Sequence, residues 1–120
     1  NLVMENNIVL QKSLYFAIRI VKLCHYLNET KREFVLSKEL LISGTNIGKH
    51  VNAAVGAEGR DVFISEFGIA RRRAKETEFW LLVLFHGEIL TEAEYQSIES
   101  DRLELVKIIS SIVSTSRNSN

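Results

Sequence analysis

Ser43-Gly44-Thr45-Asn46-Ile47-Gly48 leads to a break at Glu58-Gly59-Arg60-Asp61, after which Phe63, Phe67, Ala70, Ala74, Thr77, Leu81 and Leu84 recur at alternating spacings of four and three. That period belongs to a helix burying one seam against other helices. Upstream of the break, Leu40, Gly44, Ile47, Val51 and Ala54 line one face of a second helix. Interior glycines cost about 1 kcal/mol each in helix propensity. Close approach of a neighbouring helix would offset that penalty, and Phe63, Phe67 or Trp80 are expected to fill the space the glycines leave.

Working outward, helical patterns appear four times, over about 6–27, 31–57, 61–85 and 92–114. Thr30-Lys31-Arg32-Glu33 has the form of a capping box opening the second helix, and Thr91-Glu92-Ala93-Glu94 of one opening the fourth. Gly59 suits a left-handed residue closing the second helix, Asp61 a cap for the third, and His86-Gly87 ends that helix. The tail from Ser116 to Asn120 is polar and expected to fray. Three short connections demand antiparallel neighbours, so the expected fold is all-α: an up-down-up-down four-helix bundle forming a single domain over 1–120.

The core stripe of the first helix reads as Leu10, Leu14, Ala17, Val21 and Cys24, and that of the fourth as Tyr95, Ile98, Leu105, Ile109 and Ile112. A second apolar stripe, Phe16, Ile20, Leu23 and Leu27, runs along the first helix, echoed by Leu103, Val106 and Val113 on the fourth. A small bundle hides about one stripe per helix. Phe16, Ile20, Leu23, Leu103 and Val106 are therefore the candidate oligomer interface; the plainer alternative is a wide core stripe with exposed edges.

The chain of 120 residues has 15 basic and 15 acidic side chains, 46% apolar residues, one cysteine and no proline. It is long enough for one core without disulfide or metal, and the lone Cys24 fits a reducing cytoplasm. No apolar run reaches membrane-span length, and no signal-peptide pattern opens the chain. The chain starts at Asn1 rather than Met, as expected where an amino-terminal tail is missing or replaced. Residues 1–75 carry a charge of +5 (12 basic, 7 acidic) and residues 76–120 carry −5 (3 basic, 8 acidic), which an antiparallel bundle would pair internally.

Leu41-Ile42-Ser43-Gly44-Thr45-Asn46-Ile47-Gly48, Phe63-Ile64, Ile69-Ala70 and Ala74-Lys75-Glu76-Thr77-Glu78-Phe79-Trp80-Leu81 resemble the S23 group of four-helix-bundle proteins, named for reading frames in intervening sequences of bacterial 23S ribosomal RNA genes. Gln11-Lys12-Ser13, Ala17-Ile18-Arg19-Ile20-Val21 and Phe34-Val35-Leu36-Ser37-Lys38 fit as well. Members are similar to the pentameric accessory protein of diversity-generating retroelements. The resemblance implies a homopentamer and a nucleic-acid-handling role, with no established activity. Asn52-Ala53 and Arg73 depart from the group's usual acidic pattern between the second and third helices. An arginine at 73 is expected to pair with Glu76 at helical spacing.

Catalytic signals are lacking. His25, His50 and His86 follow Lys22, Ile47 and Val83 by three positions, so the Glu-x-x-His pairs of di-metal bundles are absent. Gly44 and Gly48 lack the Lys-Ser/Thr of a phosphate loop. Cys24 has no adjacent base and reads as a small core residue. No catalytic residue, cofactor or metal is expected. Lys12, Arg19 and Lys22 share a face of the first helix, and Arg71 and Arg72 stand on the third. These five are the candidate nucleic-acid contacts of a non-catalytic oligomeric scaffold; the rival is a protein-interaction module without nucleic acid. Repeated round a ring, they would form a polybasic surface, although no aromatic side chains interleave to stack bases.

Overall fold

The computed structural model describes residues 2–118. Four helices follow one another: α1 (Leu2–Glu29), α2 (Leu36–Val55), α3 (Arg60–His86) and α4 (Glu92–Asn118). Each packs against its two neighbours in a closed square, α1 on α2, α2 on α3, α3 on α4 and α4 on α1. The result is an antiparallel bundle measuring 50 × 21 × 19 Å. Among the described residues no helix is long and apolar enough to cross a membrane.

The turns follow local chemistry, and not always as the sequence suggested. The box at Thr91 forms as read: the Thr91 amide donates to Glu94 Oε1 at 2.8 Å and the Glu94 amide to Thr91 Oγ1 at 3.1 Å. That carboxylate is held below its usual range chiefly by the Thr91 amide. The box at Thr30 does not form. Arg32 adopts a left-handed φ of 56°, and α2 starts only at Leu36. Glu33 instead turns forward and accepts from the Ser37 amide at 2.8 Å, capping α2 from its own side chain. Gly59 does not close α2, which ends at Val55 with Gly56 at φ −84°. With φ 156° and ψ 150°, Gly59 is the residue before α3, in a region open essentially only to glycine. Asp61 then lies inside the first turn and makes no capping bond. Helix α4 continues through the expected frayed tail to Asn118; Ser119 and Asn120 lie outside the described residues.

On α1 the two stripes largely exchange roles, although Cys24 of the first is buried as read. Phe16 and Ile20, expected on an outer interface, are 1% and 0% exposed, with Leu27 and Val9 beside them in the core. Leu14 and Val21, expected inside, are 62% and 50% exposed. Leu10 and Leu23 are partly buried against the core. The cause lies on α2. A methyl group added to Gly44 would sit 2.8 Å from Ile20 Cγ1 and 2.9 Å from its Cγ2, so Ile20 occupies the space glycine leaves. At Gly48 it is the α1 backbone that approaches, less tightly: an added methyl would meet the Ser13 carbonyl oxygen at 3.2 Å. The glycines thus receive α1, not the aromatic side chains of α3. The seams of α2 and α3 are buried as read, except that Phe63 is half-buried and packs edge-on to Phe67. On α4, Ile98, Leu105, Ile109 and Ile112 are buried as read and Tyr95 is half-buried, stacked on Phe85; Val113 joins the core.

Close approach at Gly48 makes a direct expectation. Gly48→Leu should destabilise the fold by about 1–3 kcal/mol through overpacking, read as a lower melting temperature. A higher melting temperature would mean that helix propensity outweighs contact there and that α1 is not so near.

Candidate functional site

The charges of the two halves of the chain do pair across the bundle, which decides the fate of the basic stripe on α1. Lys12 forms an ion pair with Glu104 of α4. Arg19 Nη1 lies 2.7 Å from Asp101 Oδ2 and donates to the Ser97 carbonyl, while its Nη2 donates to Ser97 Oγ at 2.9 Å. Both cations therefore tie α1 to α4, along the side where those helices meet. Lys22 is exposed and makes no ion pair among the described residues. The five candidate binding residues do not form one surface.

A different site gathers on the α3/α4 face. A groove of about 920 Å³ is floored by Ile64, Gly68, Ile69, Leu103 and Val106 and edged by Arg71, Arg72, Lys75 and Arg117. The α3 residues arrive there at helical spacing: Ile64 and Ser65, Gly68, Arg71 and Arg72, then Lys75 occupy successive turns of one face. Leu103 and Val106, expected at an oligomer interface, are the α4 wall of this groove; Leu103 is exposed and Val106 half-buried. Arg71, Arg72 and Arg117 are exposed and have no carboxylate partner among the described residues.

At one end of the groove lies a buried charge network. Arg102, 2% exposed, occupies the core stripe of α4 between Ile98 and Leu105. Its Nε and Nη2 grip both oxygens of Glu99 at 2.6 and 2.7 Å. Nη2 also reaches Glu78 Oε2 at 2.8 Å, and Nη1 reaches the Ala74 carbonyl at 3.3 Å. Lys75 Nζ lies 2.6 Å from the other Glu78 oxygen. The hydrogen bond from Lys75, reinforced by Arg102, holds the Glu78 carboxyl below its usual 4.5 against the opposing effect of burial. Two carboxylates and two cations thus cancel locally. The network ties α3 to α4 and leaves the three arginines as the groove's charge that no carboxylate of the described residues compensates.

Other polar groups serve the scaffold. Thr77 donates to Ser43 Oγ at 3.1 Å inside the α2/α3 contact. His50 Nδ1 and Glu66 Oε2 meet at 2.7 Å across the same pair. Arg73 Nη1 bonds Glu76 at 2.8 Å, the contact its spacing suggested. Burial pushes the Cys24 thiol up to about 11, and its sulfur lies 3.2 Å from the Ser37 carbonyl; the thiol is thus un-ionised at neutral pH and a poor nucleophile. No three His, Cys, Asp or Glu side chains among the described residues converge as a metal site.

The model of the 23S rRNA-intervening sequence protein family matches residues 5–111. The chain belongs to that family. Its bundle superposes, with a TM-score of 0.90 and 43% identity, on the crystal structure of a protein of unknown function from the S23 ribosomal protein family of Bacteroides thetaiotaomicron, over 92% of this chain and 98% of that one. No curated protein matches the chain.

Sequence reasoning found Arg71 and Arg72 but passed over Arg102, Arg117 and Gly68. Arg102 was signalled by its place, a charge at core spacing between Ile98 and Leu105, which demands a buried partner. Arg117 is hidden in the sequence because the polar run from Ser116 has the composition of a tail, although α4 continues to Asn118.

The network sets a pH dependence. Removing the cation with Arg102→Met leaves the buried Glu99 unpaired and Glu78 with Lys75 alone, and should cost about 3–5 kcal/mol at neutral pH. Because the Glu78 pKa is lowered on folding, its stabilisation is complete above 4.5 and lost as pH falls through the lowered value. Lys75 remains in both proteins, so only the share that Arg102 adds at Glu78 separates them. The gap between wild type and Arg102→Met in urea melts should narrow in part below pH 4.5, and a gap independent of pH would show that Glu78 does not contribute to it.

Proposed function

We propose that this member of the intervening-sequence family is a non-catalytic, self-associating helical scaffold that binds RNA or DNA through the α3/α4 face. One observation carries the reading: Arg71, Arg72 and Arg117 edge a single groove without acidic partners among the described residues, in a chain whose formal charge is zero. Three arginines on one face supply the phosphate-binding field that the net charge conceals. The reading moves the contact surface from Lys12 and Arg19, which are engaged with α4, to Arg71 and Arg72.

Self-association rests on the apolar side chains that α1 and α2 leave outside. Leu14, Ile18 and Val21 of α1 and Leu41 and Ile42 of α2 are exposed. They replace Phe16 and Ile20 as the surface for a second copy. In a five-membered ring, the assembly that the resemblance implies, the arginine groove would be displayed five times.

Fluorescence anisotropy with labelled RNA and DNA at low salt tests the binding. Each lost phosphate contact lowers the log–log salt slope by about 0.7–0.9. Arg71→Gln with Arg72→Gln should thus reduce it by twice that, whereas Lys12→Gln should leave it nearly unchanged. Light scattering should give a mass several times 13.7 kDa. Absence of binding to any nucleic acid at low salt would discard this reading in favour of a protein-interaction module.

A further inference from the structure

Among the described residues nothing packs against Gly68. It lies in the interior of α3, where glycine weakens a helix relative to alanine. The two α2 glycines accept α1, but a methyl group added at Gly68 would meet no heavy atom of the described residues within 4 Å. Its open side is the floor of the α3/α4 groove, flanked one turn below by Ile64 and one turn above by Arg72. A backbone left bare where nothing packs suits something that approaches from outside.

The groove's composition selects among nucleic acids. Its floor is apolar, through Ile64, Ile69, Leu103 and Val106, and its cations stand at the rim. A duplex offers phosphates and keeps its bases stacked inside, so it would use the rim and leave the floor empty. A single strand can place phosphates on the arginines and lay base faces against the aliphatic floor beside Gly68, an apolar contact rather than aromatic stacking. From Ile64 to Lys75 the groove follows about 16 Å of helix at 1.5 Å per residue, a track for an extended strand.

We infer that the α3/α4 groove binds single-stranded nucleic acid, its phosphates on Arg71, Arg72 and Arg117 and its bases on the apolar floor that Gly68 keeps open. The inference rests on the nucleic-acid reading above and adds the class of strand. A second copy of this chain is the competing occupant; charge disfavours it, since in its acidic half Glu76, Glu78, Glu99, Asp101 and Glu104 are already paired with the chain's own cations, whereas three free arginines call for a polyanion.

Gly68→Leu fills the floor while improving helix propensity, so the variant should melt no lower than wild type. Anisotropy is measured with an unstructured oligonucleotide of about 12 nucleotides and with its duplex. The single strand should bind more tightly than the duplex, and Gly68→Leu should weaken it about fourfold, the worth of roughly one buried methylene of apolar contact, while barely changing the duplex. Equal or tighter duplex binding would overturn the inference yet leave the nucleic-acid reading standing, as would unchanged single-strand binding by a folded Gly68→Leu. Binding to neither form would remove both. A Gly68→Leu protein with altered assembly mass and undiminished single-strand binding would assign the groove to a second copy and overturn the proposal.

Discussion

Ile20 of α1 sits where a side chain on Gly44 of α2 would be, and the organisation of the molecule follows from that contact. It brings two helix backbones close together and chooses which of two apolar stripes on α1 faces inward. With Phe16, Ile20 and Leu27 committed to the core, Leu14, Ile18 and Val21 are left outside, and the surface available to a second copy is determined. The helix penalty of an interior glycine is offset by the packing of a β-branched side chain that would otherwise have no room.

A second constraint acts on the opposite side. The buried guanidinium of Arg102 must be satisfied, and Glu99, Glu78 and the Ala74 carbonyl satisfy it. A misregistered α4 would strand that charge in the core, so the network enforces alignment more than it adds stability. By consuming the nearby carboxylates it also leaves Arg71 and Arg72 without counter-ions on the adjoining groove. Structure and proposed binding surface are thus linked through the same electrostatics: acids on α4 neutralise Lys12 and Arg19 on α1, while the cations of α3 beyond the network remain available.

Much of the fold was legible in the residues, because helix number, antiparallel order and the seams of α2 and α3 depend on spacing alone. The box at Thr91 was legible for the same reason: its chemistry is local. What spacing could not decide was the rotation of α1, since Leu14 and Val21 recur with the same helical period as Phe16 and Ile20. Only the shape of α2 separates them. The Thr30 box failed because Glu33 found the Ser37 amide a better partner, an alternative invisible to a four-residue motif. For the candidate site, Arg71 and Arg72 were readable as cations, but whether a cation is free depends on acids distant in sequence. Lys12 and Arg19 show this: their partners, Glu104 and Asp101, lie some eighty to ninety residues away.

The contact between Ile20 and Gly44 is most directly tested by a double-mutant cycle, with stabilities from denaturant unfolding. In the wild-type background Gly44→Ala should destabilise the protein, because the new methyl collides with Ile20. In the Ile20→Ala background the colliding atoms are gone, so the same change should be neutral or stabilising, a coupling of about 0.5–3 kcal/mol. An equal effect of Gly44→Ala in both backgrounds would contradict the account and place some other element against Gly44.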